Sequence, residues 1–491
     1  MSSRGNDKKR NMRRSKQARV RRERRSNREF AVVTYLFLAI FLGWIVYFVW
    51  FLAFRAEDIL NNSYNARLDT YEDQVIRGSI LSDDGTALAY TYVDDDGNET
   101  RVYPYGSQFA HVVGYTTNGG AGIESLAEYY LLRSNDSIVS QVINDLTGDK
   151  DTGDNVVTTL NVDVQTAAEE ALGSYYVAVV AIDPETGAIL AMVSNPGYDP
   201  NTIAEDYEMY SEYEATSSIL VNRATQGLYA PGSTFKIFAA LEYLEENGYT
   251  DSYSYSCSGS ITSGTQTIRC AGGTAHGSLN LESAFAKSCN GAFVNIGLSM
   301  DQSAYVDLVN ASLFNSSLPC EFTYNQSSFS LTADSDYALV MQTVIGQGDT
   351  LVTPYHMALL TAAIANDGVL MTPYVIDYTE TADGETVETF ETGVEYGEIF
   401  TAQQASALQE LMAAAVDYGT ASALSGKSYT AYGKTGTAQY SDGDSTHAWF
   451  IGYAEQDGKQ IAIAVIAEEA GGGSTYAVPV AEAAFDAYFN E

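Results

Sequence analysis

Pro231-Gly232-Ser233-Thr234-Phe235-Lys236 opens a helical run that continues through Lys236–Glu246, KIFAALEYLEE. Pro-Gly just ahead of the run places Ser233 at a helix N-terminus, where the positive end of the dipole favours developing negative charge. Lys236 follows at i+3, so it projects from the same face and its amine reaches towards the serine oxygen. A lysine acts as a base only when neutral, and burial and a second nearby cation both lower its pKa. Ser233-x-x-Lys236 is the only S-x-x-K in the chain. One such match is expected about once by chance at this length, so context must decide its meaning.

A second cation is available in Lys434-Thr435-Gly436-Thr437, within a strand expected over Tyr432–Gln439. Gly436 lets another backbone approach closely, as when an extended peptide pairs with a sheet edge. Thr435 and Thr437 lie two apart on one face, suited to hold a carboxylate. The plainer alternative is an edge strand with a solvated lysine. Ser288-Cys289-Asn290 closes a further helical segment; S-x-N alone means little, and Ser63-Tyr64-Asn65 is another. Other chemistries lack signatures. There is no G-x-S-x-G, P-loop or G-x-G-x-x-G, and the four histidines (His111, His276, His356, His447) are scattered. No close C-x-x-C or H-E-x-x-H spacing exists, so no zinc site is expected.

Around these motifs the pattern is an early hairpin, a helical middle, late strands and a closing helix. Strands are expected at Tyr176–Ile182 and Ala188–Ser194, joined by Asp183-Pro184-Glu185-Thr186-Gly187, and at Tyr432–Gln439, Ala448–Tyr453 and Gln460–Ala467. Helices are expected at Val164–Leu172, Thr234–Glu246, Leu281–Lys287, Ala338–Val344, Ala402–Tyr418 and Pro479–Phe489. The order suggests an α+β domain with helices packed on one antiparallel sheet, over 156–491. Residues 55–155 are polar and turn-rich, with short alternating runs (VIRGSIL, VYPYG, HVVGY), and read as a small α+β module.

Further out, Phe30–Phe54 is 25 residues without Lys, Arg, Asp or Glu. As a helix it spans about 37 Å, enough to cross a hydrocarbon core of roughly 30 Å with some tilt. A cleaved signal peptide needs a shorter apolar core and a small-x-small site; Phe54-Arg55-Ala56 is a poor one, so a retained transmembrane helix is expected. Residues 1–29 hold 13 Lys/Arg and 3 Asp/Glu, which fixes this basic head in the cytoplasm by the positive-inside rule. The other 462 residues hold 13 basic and 60 acidic residues, a net −47 that disfavours nucleic acid. Everything after Arg55 is then extracytoplasmic, where disulfides are permitted. Cys257 and Cys270 flank SGSITSGTQTIR, which reads as a hairpin; they form a candidate disulfide worth about 3 kcal/mol, with buried free thiols the alternative.

S-x-x-K, S-x-N and K-T-G in this order, here separated by 55 and 146 residues, are the signature of serine β-lactamases and penicillin-binding proteins. The chain also resembles class B penicillin-binding proteins, in their shorter, PbpA-like form, over nearly all of its length after the apolar helix. Arg77-Gly78-Ser79-Ile80, Gly85-Thr86-Ala87-Leu88-Ala89, Tyr103-Pro104, His111–Tyr115 and Gly122-Ile123-Glu124 resemble their N-terminal pedestal. Asp183–Pro196, Asn222-Arg223-Ala224, Gly346-Gln347-Gly348, Thr353-Pro354 and His447–Gly452 resemble their transpeptidase domain.

The resemblance implies a peptidoglycan D,D-transpeptidase of the bacterial plasma membrane, with its catalytic domain extracytoplasmic and no metal or organic cofactor. Ser233 would be the nucleophile and Lys236 its base. Ser288 would relay the proton to leaving D-alanine, and Asn290 would bind substrate amide and orient Lys236. Lys434 would support the relay and, with Thr435, Gly436 and Thr437, hold the terminal carboxylate. Backbone N–H groups of Ser233 and Thr437 would form the oxyanion hole. Implied partners are stem peptides ending in D-Ala-D-Ala, β-lactams and a SEDS-type membrane glycosyltransferase. No glycosyltransferase domain fits into 55–155. Cys289 at the middle of S-x-N, and 36 tyrosines, depart from the pattern; Cys289 is expected to point away from the pocket. Two alternatives are a β-lactamase, for which Glu321-Phe322-Thr323-Tyr324-Asn325 offers the E-x-x-x-N spacing, and a membrane β-lactam sensor, for which 29 cytoplasmic residues are too few for a folded effector.

Overall fold

The computed structural model describes residues 4–54, 74–171, 173, 175–250, 252–439 and 445–490. The first part of the expected pedestal, 55–73, with Ser63-Tyr64-Asn65, lies outside the described residues. The chain divides into two compact units, Met1–Asn65 and Ala66–Glu491. In the first, one helix runs over Arg4–Phe54, and its stretch Phe30–Phe51 is long and apolar enough to cross a membrane.

The second unit is built on a five-stranded antiparallel sheet of β1 (Val177–Ile182), β2 (Ile189–Asn195), β3 (Thr430–Gln439), β4 (Thr446–Gln456) and β5 (Lys459–Ala467), in the order β3-β4-β5-β1-β2. β1 is VAVVAI, buried at every residue, because both faces of the sheet are covered. Val177, Val179 and Ala181 join one apolar cluster with helices α1 (Val162–Glu170) and α4 (Val478–Phe489). Ala178, Val180 and Ile182 join the other, with α2 (Lys236–Glu246) and α3 (Pro354–Ala365). Each fully buried Val or Ile contributes about 1.5–3 kcal/mol.

The expected helices and strands of 156–491 are all present, with ends shifted by a few residues. The helix α3 was not foreseen. Its twelve residues are buried all round, so it carries no polar stripe to mark its period.

A second sheet of six strands, in the spatial order 386–389, 376–380, 155–158, 80–81, 87–93 and 99–102, joins early and late chain. Ile80–Leu81 runs parallel to Val156–Val157, while Ile376–Glu380 closes the other side of that strand. Buried Glu124 is held by Arg77 Nε and Arg101 Nε, each at 2.7 Å. Burial pushes its carboxyl up, but Arg101 and Arg77 hold it below the usual range.

Candidate active site

Ser233 sits in a 3-10 turn, Gly232–Phe235, that runs directly into α2. Close packing fixes the turn. Gly232 has φ +57°, its N–H donates to Gly346 O at 2.8 Å, and a β-carbon on it would stand 2.8 Å from Thr437 O. Gly346, at φ +72°, allows no β-carbon either, which would fall 1.9 Å from Gly232 O. Gly436 on β3 serves the same packing. A β-carbon there would meet Trp449 Cβ at 2.8 Å and Thr234 Cγ2 at 3.0 Å. Its smallness thus admits the serine turn as neighbour, where an incoming peptide strand was the sequence-based reason.

Lys236 and Lys434 are both fully buried. Lys236 Nζ donates to Asn290 Oδ1 at 2.7 Å, Ser288 O at 2.9 Å and Ser288 Oγ at 3.2 Å. Lys434 Nζ donates to Ser288 Oγ at 3.0 Å and Thr435 O at 2.9 Å. One serine hydroxyl therefore lies between the two amines. Burial lowers Lys236 to about 7, against the raising influence of Cys289 and Cys270. Burial pushes Lys434 well below the ordinary lysine value, and the charge of Lys236 adds to that. Desolvation is thus the main cause for both, and a neighbouring cation adds to it at Lys434 alone.

Ser288 links helices Leu281–Ala286 and Asn290–Gly297 at φ +52°, a left-handed conformation uncommon for a non-glycine residue. Asn290 Nδ2 donates to Arg269 O at 2.9 Å, so one amide ties Lys236 to the 260–269 hairpin. Thr435 Oγ1 donates to Thr420 Oγ1 at 2.5 Å. Ser233, Ser288, Asn290, Thr435 and Thr437 line one cleft of about 1050 Å³; Lys236 and Lys434 approach it from below through their bonds to Ser288.

Sequence reasoning missed several cleft residues: Arg269, Lys287, Gln347, Thr420 and the segment Gly472-Gly473-Ser474. Two left a signal: Gln347, within the Gly346-Gln347-Gly348 stretch to which sequence reasoning gave no site role, and the run Gly471-Gly472-Gly473 after β5. A β-carbon on Gly473 would stand 2.2 Å from Trp449 O and 2.5 Å from Gly436 O, so that run lies close against β3 and β4. Glu321 is exposed and does not line the cleft, and Asn325 bonds instead to Thr225 O and Gln226 O.

The cysteines require a correction. Cys257 and Cys270 flank a real hairpin, Ser260–Ser263 with Gln266–Arg269, but they are free thiols with Sγ atoms 3.7 Å apart. Cys289 is buried outside the cleft, as expected, and its Sγ is 3.8 Å from that of Cys270. His276 Nδ1 lies 3.5 Å from Cys257 Sγ. Linear spacing gave no reason to expect a metal site, yet the fold gathers four ligand-type side chains.

Residues 177–487 match the family model of the penicillin binding protein transpeptidase domain, and 77–156 that of the penicillin binding protein A dimerisation domain. The peptidoglycan D,D-transpeptidase PbpA of Mycolicibacterium smegmatis is 33% identical over 471 residues, covering 89% of this chain and 94% of that protein. The ceftriaxone acyl-enzyme complex of penicillin-binding protein A from M. tuberculosis superposes with a TM-score of 0.76 at 29% identity, covering 86% of this chain and 99% of that one. A D,D-transpeptidase domain from Eggerthella lenta gives 0.75 at 29% identity, covering 85% and 100%.

Proposed function

The chain belongs to the penicillin-binding protein transpeptidase family and is a serine-type peptidoglycan D,D-transpeptidase; from that premise we propose that Ser233, Lys236, Ser288, Asn290, Lys434, Thr435, Gly436 and Thr437 carry its chemistry. The observation that supports this most is the pair of buried amines converging on Ser288 Oγ at the edge of a cleft that Ser233 lines.

Lys236, near 7, is substantially neutral at neutral pH and takes the proton of Ser233 as its oxygen attacks the D-Ala-D-Ala carbonyl. The oxyanion is met by backbone N–H groups of Ser233 and Thr437, each worth about 3–4 kcal/mol. Ser288 Oγ, between the two amines, passes the proton to the departing D-alanine. Lys434, Thr435 and Thr437 hold the terminal carboxylate. An amine of a second stem peptide then takes the acyl group. A β-lactam enters the same path and stops at the acyl-enzyme.

We assign 1–29 to a cytoplasmic head, 30–54 to the anchor, 55–155 to the pedestal and 156–491 to the transpeptidase domain, the last extracytoplasmic. The anchor and pedestal contact a SEDS-type glycosyltransferase. Co-purification from detergent tests this; a yield unchanged on replacing both segments contradicts it. The absence of Glu321 from the cleft favours synthesis over hydrolysis. Nitrocefin is expected to give one burst per chain; sustained turnover at many per second would make the protein a hydrolase.

A further inference from the structure

We propose that Cys257, Cys270, Cys289 and His276 bind one zinc ion beside the catalytic cleft. Three cysteines and a histidine converge from separate elements: Cys257 ends the strand Tyr255–Cys257, Cys270 follows the 260–269 hairpin, and Cys289 caps the helix Asn290–Gly297. His276 precedes the strand Gly277–Leu279, which pairs with Tyr255–Cys257. Their ligand atoms all lie within 4.8 Å of one another.

The spacing fits a tetrahedral ion. Zn–S bonds of about 2.3 Å place two sulfur ligands about 3.8 Å apart. The sulfurs here stand at 3.7 and 3.8 Å, and the Cys257 sulfur at 3.5 Å from the imidazole nitrogen. A disulfide needs about 2.05 Å and uses only two of the thiols. It would leave the third buried thiol and His276 unexplained, whereas one zinc uses all four. Three thiolates and an imidazole suit zinc in charge, softness and number.

The surroundings are those of a thiolate site. Gly259 N–H donates to Cys257 Sγ at 3.4 Å, and Ala292 N–H to Cys289 Sγ at 3.5 Å. Such outer bonds orient and stabilise sulfur ligands. The three cysteines are buried, while His276 and Cys270 also border the cleft, which supplies an entry path. On binding, the thiols release their protons to solvent and no electrons are transferred. The ion clamps the hairpin to the residue lying between Ser288 and Asn290, where Asn290 already reaches Arg269 O. The hairpin forms its own two-stranded sheet, so the metal replaces the support that a larger sheet would give.

The test is metal content of the full-length chain, purified in detergent under reducing conditions without a metal-affinity tag. Plasma mass spectrometry is expected to find one zinc per chain. Cobalt(II) exchange is expected to give intense tetrahedral d–d bands with thiolate-to-cobalt charge transfer. Cys257→Ser and His276→Gln are each expected to lose zinc to a chelator that leaves the wild type loaded. Wild-type protein without stoichiometric zinc after reduction and incubation with zinc salt would overturn the proposal. So would an intact mass short of two hydrogens with only two of the four cysteines open to alkylation. The wild-type count needs no folded variant and no catalysis, so it fails or succeeds separately from the transpeptidase reading.

Discussion

Lys236 is the residue at which burial becomes chemistry. An ordinary lysine is charged at neutral pH and cannot accept a proton, but removal from water brings this one to about 7. As the proposed base, the group must lose its proton to act, so acylation by a β-lactam is expected to rise with pH through about 7 and level off above. A stopped-flow pH profile checks this, and a rate flat across neutrality would contradict it. Lys236→Met is expected to slow acylation by roughly 10²–10⁴-fold, the range of a general base. Lys236→Arg should fare no better, because a guanidinium stays protonated. Ser288 gives a second case. Its left-handed backbone is cheap for glycine and costs about 1–2 kcal/mol for other residues. Ser288→Gly and Ser288→Ala are therefore both expected to lose acylation. The glycine variant should unfold at the higher temperature; equal melting would mean that the conformation stores no strain.

Single elements of the transpeptidase part are legible in the sequence because each has a period of its own. The runs around β1, β2 and β5 read as strands bounded by turn residues, and Lys236–Glu246 reads as a helix behind Pro-Gly. α3 is not legible, since a helix covered on every side lacks an amphipathic stripe. The four-ligand cluster is not legible either, because its members stand 13, 6 and 13 residues apart and meet only through the β-ribbon and hairpin. The support under Ser233 is likewise non-local. Gly346 lies more than a hundred residues downstream, yet touches the backbone of Gly232. Gly346→Ala adds one methyl to that contact at a positive φ. It is expected to cost about 1–3 kcal/mol in thermal unfolding and to slow acylation by displacing the Ser233 turn. Unchanged stability and rate would refute that support.

For the whole molecule, the six-stranded sheet ties residues near the start of the second unit to a hairpin almost three hundred residues later. Melting of this unit is therefore expected as one transition. Buried Glu124 bridges two part-buried arginines within it. Glu124→Gln leaves both charges short of a partner and is expected to lower stability by about 3–5 kcal/mol. Ser233 labelling should disappear at the same lowered temperature; a separate early transition with labelling intact would show that the parts melt independently. Because the arginines hold the Glu124 carboxyl below its usual range, its contribution is present above that range and lost only as pH falls through the lowered value. The charge map has the same local logic. The chain carries −37, yet of the six lysines after Phe54, Lys236, Lys287 and Lys434 lie in or under the cleft. On the proposed reading, an anionic peptide end is drawn there by nearby groups, against the field of the whole surface.

The account rests on Ser233 as the acylated residue. Peptide mapping after incubation with a fluorescent penicillin addresses it most directly. Label is expected on the peptide containing Ser233, persisting for many minutes, and none is expected on Ser233→Ala. Label on another residue, or undiminished label on Ser233→Ala, would contradict the account.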